Sequence, residues 1–190
     1  MKKIKNLFKR EPKGLRHVYN DVEPSSQWVV DGEGTATRKW DGTSCLIQDG
    51  QLYKRYDAKH GKKIPPNFIP CEDAPDPVSG HFPGWVPVDL KAPGDRWHAE
   101  AWALGGQGLP DGTYELVGPK VQGNAEGLLG FHRFHRHGDA LLDGVPRTFD
   151  ELGAYLWTHP DMEGVVWHHP DGRMVKAKRK DFPAPSSKDL

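Results

Sequence analysis

A chain of 190 residues suits one domain with a moderate core, and its 26 basic and 26 acidic side chains cancel, so overall charge makes no case for a polyanionic partner. Two cysteines, Cys45 and Cys71, are too few for a disulfide framework or a zinc site, and no His-Glu-x-x-His pattern occurs. No stretch has the apolar length of a membrane span, and Lys2 to Arg10 is too charged for a secretory leader, so a cytoplasmic protein without a membrane partner is expected.

Charge is uneven locally. The first 16 residues carry Lys2, Lys3, Lys5, Lys9, Arg10, Lys13 and Arg16 against Glu11, and residues 173–180 carry Arg173, Lys176, Lys178, Arg179 and Lys180 with no acid. Both ends could meet phosphates or simply be solvated. Residues 1–27 read as an irregular lead-in with a short helix near Ile4 to Phe8. Trp28 to Val30 is an apolar triplet, and Thr35 to Trp40 is extended before an Asp41-Gly42 turn. Asp49-Gly50, between Cys45-Leu46-Ile47 and Leu52-Tyr53, is a two-residue hairpin signal. Residues 61–96, rich in Pro, Gly and Asp, read as a long surface loop. Trp97 to Leu104 is helix or strand. Strands are expected over Gly112 to Val117, Leu128 to Arg136, Gly164 to His168 and Met174 to Lys178. A helix is expected from Thr148 to Thr158, where Phe149, Leu152, Tyr155 and Leu156 share helical spacing. Short strands with two or three helices give an α+β class with antiparallel sheets.

Lys39-Trp40-Asp41-Gly42 means little by itself, since a lysine beside an Asp-Gly turn is usually solvated. Four further features follow it in order. They are Tyr53-Lys54-Arg55-Tyr56, Tyr114-Glu115-Leu116-Val117-Gly118, Met162-Glu163-Gly164-Val165-Val166 and Val175-Lys176-Ala177-Lys178. The ordered set resembles the covalent nucleotidyltransferase superfamily of ATP-dependent RNA and DNA ligases and GTP-dependent capping enzymes. Lys39 to Gly42 looks like its Lys-x-Asp-Gly motif, Glu115 like the third-motif glutamate, Glu163-Gly164 like the fourth motif and Lys176-Ala177-Lys178 like the fifth. The wording from Gly32 to Thr43, with Lys178-Arg179-Lys180-Asp181-Phe182, is most similar to small RNA ligases of the RNA-ligase-1 type.

That resemblance implies an α+β nucleotidyltransferase (ATP-grasp-like ligase) domain over residues 28–182, with antiparallel sheets and a few flanking helices; the OB domain that most of the family adds after the fifth motif is not expected, since 12 residues follow Lys178. Residues 1–27 would be a basic extension and 183–190 a loose tail. It implies ATP as AMP donor, Mg²⁺ or Mn²⁺ as metal, RNA ends as substrate, and a monomer. Lys39 would be the catalytic nucleophile. Asp41, Gly42, Arg55, Glu115, His132, Phe134, Glu163, Lys176 and Lys178 would bind the nucleotide, and Asp41, Glu115 and Glu163 would serve the metal. His132 and Phe134 are assigned to the nucleotide side by alternation along their strand, with Phe131 and His135 opposite. Arg38 and Lys54 are read as solvent- or RNA-facing. The chemistry suits the residue types: a lysine amine attacks only when neutral, nearby cations favour that form, and two lysines two apart on a strand share a face. A capping guanylyltransferase, another adenylyltransferase and a degenerate nucleotide- or RNA-binding module are the alternatives.

Overall fold

The structure, a computed structural model, describes residues 4–59, 61 and 63–185. In chain order the elements are β1 (Lys5–Asn6), β2 (Phe8–Arg10), β3 (Val18–Val22), α1 (Gln27–Val30), β4 (Thr35–Lys39), β5 (Thr43–Gln48), β6 (Gln51–Asp57), β7 (Ile69–Pro70), β8 (Pro83–Pro87), α2 (Arg96–Ala103), β9 (Gly112–Val117), β10 (Arg133–Arg136), α3 (Phe149–Thr158), β11 (Gly164–His168) and β12 (Met174–Lys178). The α+β class and the largely antiparallel pairing agree with the sequence reading. The chain forms two compact units, Asp41–His137 and, from two segments, Ile4–Trp40 with Gly138 onward.

The two-segment unit holds a sheet in the order β1-β12-β11-β4, and a hairpin of β2 and β3. All its ladders are antiparallel except β1 against β12. Strand β11 is central and reads Gly-Val-Val-Trp-His, with Val165, Val166 and Trp167 all buried. Helix α3 buries Leu152 and Leu156, one helical turn apart, with Phe149 and Tyr155 packed at the margin as their spacing requires. Each such leucine contributes about 1.5–3 kcal/mol by leaving water.

The stretch read as an irregular lead-in is part of this unit. In place of a helix near Ile4 to Phe8, β1 and β2 flank Leu7, which is fully buried with Phe8 and Val18 in the same core as Trp167. The reason is long-range: Lys5 and Asn6 pair with Val175 and Lys176, a contact that local pattern cannot show. The basic run is partly neutralised, because Lys9 pairs with Asp21 at 2.7 Å and Arg10 pairs with the buried Asp181. The C-terminal tail beyond residue 185 lies outside the described residues.

The second unit is built on an antiparallel sheet in the order β10-β9-β5-β6-β8-β7. Its core gathers Cys45, Ile47, Leu52, Tyr114 and Leu116 with Ala101 and Trp102 of α2. Asp49 and Gly50 both take left-handed backbone angles (φ 51° and 70°), which is the geometry of the hairpin turn between β5 and β6. Residues 61–96 are less loop-like than expected. Within them β8 is an inner strand between β6 and β7, burying Trp85 and Val86, and its bracketing prolines disguise it. The strand expected from Leu128 shortens to Arg133–Arg136.

Candidate functional site

In the two-segment unit, one row of the sheet brings three motifs together. Lys39 ends β4 and pairs across to Gly164 of β11, which pairs in turn with Lys178 of β12. Alternation then puts Thr37, Lys39, Lys176 and Lys178 on one face, while Ala36, Val165, Trp167, Val175 and Ala177 face the apolar core. Glu163 immediately precedes β11. One carboxylate oxygen takes the Lys39 ammonium at 2.5 Å and the other takes Lys178 at 2.5 Å. The Glu163 side chain is only 8% exposed, against 19% and 21% for the two lysines. Burial opposes its ionisation, but the charge of Lys39 and the bonds from Lys178 and Lys39 prevail and hold the carboxyl below its usual range.

Gly164 is required here by space. A Cβ would stand 2.1 Å from the Ala177 carbonyl oxygen, so the strand after Glu163 tolerates no side chain. Deeper on the same face, Thr37 donates to the Val166 carbonyl at 3.2 Å and lies 3.0 Å from the His168 ring. Arg38 points the other way. Its guanidinium pairs with Asp161 at 3.0 Å and lies over the Trp40 ring, so it is engaged within the protein.

Lys176 has lost much of its affinity for a proton. Burial, then the charges of Lys178 and Lys39, bring it from an ordinary value of 10.5 to about 8. The folded protein therefore pays for the Lys176 charge in full below about pH 8, and the cost disappears as pH rises toward 10.5. Lys176→Met is expected to raise the melting temperature at pH 7 and to flatten the gain in stability between those two pH values. Melting curves across that range check it; an unchanged slope would count against a buried charge here.

In the other unit, the backbone that follows Trp40 is held by two carboxylates. The Asp41 N–H donates to Glu126 at 2.7 Å and the Gly42 N–H to Glu115 at 3.2 Å. Gly42 lies so close to β9 that a Cβ would sit 2.1 Å from the Leu116 carbonyl oxygen. The second oxygen of Glu115 meets His137 Nε2 at 2.8 Å, so both of its oxygens are engaged. Glu126 and His137 belong to no motif and were missed in the sequence, where nothing in their spacing marks them. Cys45 sits beneath, and burial together with the Glu115 charge pushes its thiol far up, which disqualifies it as a nucleophile.

The remaining sequence candidates have other surroundings. Arg55 donates to Cys71 Sγ at 3.2 Å and lies over Trp85 of the neighbouring strand. Lys54, read as solvent- or RNA-facing, pairs with the buried Asp95. His132 is buried, stacked on Trp97 at 4.7 Å, with its ring nitrogens on Glu100 and the Lys120 N–H. Phe134 lies opposite Leu116 and edge-on to Tyr114, on the core side of β10. The Glu115 side of that strand instead carries His135. Phe134 thus takes the core side of β10, and His132 lies just before the strand.

No three His, Cys, Asp or Glu side chains gather as a metal cluster among the described residues. Mg²⁺ commonly uses one or two carboxylates and completes its shell with waters and substrate phosphates.

Searches among known proteins give the chain relatives. It is 26% identical to the RNA ligase 1 of Rattus norvegicus over 232 aligned positions, covering 83% of this chain and 71% of that protein. It is 26% identical to that of Mus musculus, covering 83% and 70%, and 29% identical to that of Danio rerio, covering 53% and 40%. No protein-family profile matches the chain. The similarity to proteins named RNA ligase 1 runs over most of the chain.

Proposed function

We propose that this protein is an ATP-dependent RNA ligase that carries AMP on Lys39. The observation that carries the reading is the Lys39–Glu163–Lys178 row with Lys176 beside it. The similarity to proteins named RNA ligase 1 supplies the RNA. A cationic pair two residues apart on a strand suits an α-phosphate, where it stabilises the charge of phosphoryl transfer. Lys39 Nζ attacks the α-phosphorus, the bond from that phosphorus to the bridging oxygen breaks, pyrophosphate leaves, and the amine gives up its proton. The AMP then passes to an RNA 5′-phosphate, and a 3′-hydroxyl displaces it.

Attack requires the neutral amine, so Lys39 must give up its proton as the nucleotide is engaged, while Glu163 keeps it in the row. Mg²⁺, or Mn²⁺ in its place, screens the phosphates when bound, and Glu163 is the carboxylate that would hold it here. Asp41 and Glu115 are assigned to the same nucleotide chemistry on motif order. Gly42 keeps the backbone after Asp41 against β9, and Arg55 is retained as a phosphate or ribose contact on motif order alone. His132 and Phe134 are kept on the nucleotide side by motif order, although His132 is buried just before β10 and Phe134 packs on the core side.

The test is a joining assay with 5′-phosphorylated single-stranded RNA, run with ATP or with GTP. Sealing with ATP, lost in Lys39→Ala, is expected. Sealing with neither nucleotide would remove the ligase reading, and protein labelling by GTP alone would replace it with a capping-type guanylyltransferase.

A further inference from the structure

The loop between β9 and β10, residues 118–132, is firmly built, yet it holds two large apolar side chains in water. Val121 anchors its start in the core of the unit and His132 its end. In between, the Asn124 side chain clasps both polar backbone groups of Leu128, accepting from its N–H at 2.9 Å and donating to its carbonyl at 3.0 Å. The Gly127 N–H donates to the Asn124 carbonyl at 2.9 Å. Gly127 and Gly130, with φ of 61° and 86°, turn the chain on either side of Leu128-Leu129. The result leaves Leu129 89% exposed and Phe131 62% exposed.

An ordered loop that displays a leucine and a phenylalanine to solvent calls for a binding role, because the same residues would be stabilised by burial. The charges around them say what kind of partner. Lys120 and Arg133 flank the pair, both exposed, and neither is met by a carboxylate among the described residues. That contrasts with Lys9, Arg10 and Arg173 in the basic ends, each of which has an acidic partner. The loop's own acid, Glu126, turns inward and binds the Asp41 N–H at 2.7 Å, which ties the loop to the residue two places after Lys39.

We propose that this loop is the docking surface for single-stranded RNA. Phe131 offers a face on which a base stacks, Leu129 extends the apolar contact, and Lys120 and Arg133 meet the phosphates on either side. Bases without sequence preference are gripped in this way, by an aromatic platform within a cationic track. The inference deepens the ligase reading and rests on it, because the Glu126 tether joins the loop to Asp41, a residue of the Lys39–Gly42 motif.

The experiment measures the affinity of a short, fluorescently labelled single-stranded RNA for the full chain and for Phe131→Ser, Phe131→Trp and Arg133→Glu. Inorganic polyphosphate serves as a polyanion without bases, and melting curves confirm folding. Phe131→Ser is expected to weaken RNA binding roughly tenfold while leaving polyphosphate binding unchanged, and Phe131→Trp to restore RNA binding. Arg133→Glu is expected to weaken both ligands. Folded variants that bind RNA like the wild type overturn the proposal and would leave the apolar pair to a protein partner. If that occurs while the wild type still acquires AMP on Lys39 and seals RNA, the docking inference fails and the ligase reading stands. If the wild type never acquires AMP, it is the ligase reading that fails.

Discussion

Glu163→Gln is expected to slow adenylylation of Lys39 by roughly 100-fold, because a small displacement of a reacting group carries a cost of that order. The glutamate holds Lys39 and Lys178 from a position almost free of water, one oxygen for each. A neutral amide keeps the shape but leaves Lys39, Lys176 and Lys178 crowded on one face with their charges unopposed. Lys39 should then leave its place against Gly164, and the α-phosphate should lose a defined cradle. Stability should fall as well, by about 1–3 kcal/mol, less than for a fully buried pair since both lysines keep some contact with water. The pH dependence gives a second signature. The folded protein holds the Glu163 carboxyl below its ordinary value of 4.5, so its contribution is complete above that pH and is lost as pH falls through the folded value. The wild type should therefore weaken in that acid range by more than the Gln variant does. Labelling rates and acid melting curves on the two proteins check both parts, and equal rates would show that Glu163 does not organise the lysine.

Gly164→Ala, like the same exchange at Gly42, should be damaging for the gain of a single methyl group. The new Cβ would meet a backbone carbonyl oxygen at 2.1 Å, with Lys178 Cα at 2.9 Å, and neither can swing aside as a side-chain tip would. Strands β11 and β12 must part at the row that carries Lys39 and Lys178. Overpacking of this kind costs about 1–3 kcal/mol, which corresponds to a melting temperature lower by roughly 2–12 °C in a chain of this size. Lys39 adenylylation should fall with it, because the register that pairs Lys39, Gly164 and Lys178 is what aligns them. Gly94→Ala is the matched control, since nothing lies within 4 Å of a Cβ there. Its melting temperature should stay near that of the wild type, and a Gly164 variant as stable as that control would refute the steric account.

Much of this arrangement was legible in the sequence wherever a local pattern matched its period. Strands β9, β11 and β12 have the bounds that the sequence pattern predicts, the Asp49-Gly50 turn forms the hairpin it signals, and α3 buries the residues that its spacing selects. The Lys39–Glu163–Lys178 row was legible only through motif order, because the three residues meet by strand pairing across more than 120 positions of chain. What stayed hidden depends on partners far away. Strand β1 exists because β12 is there to pair with it, and β8 sits inside a sheet despite its prolines. Phe134 could be placed on a face by alternation, but the packing of Tyr114 and Leu116 decided that this face was the core. Glu126 and His137 have no motif to announce them and become visible only as partners of Asp41 and Glu115.

The central claim, that Lys39 accepts AMP, is tested most directly by intact mass after exposure to ATP and Mg²⁺, with peptide mapping of the modified form. The expected result is the gain of a single AMP on Lys39, released by pyrophosphate and absent in Lys39→Ala. An unmodified protein, or AMP on another residue that persists in Lys39→Ala, would contradict it.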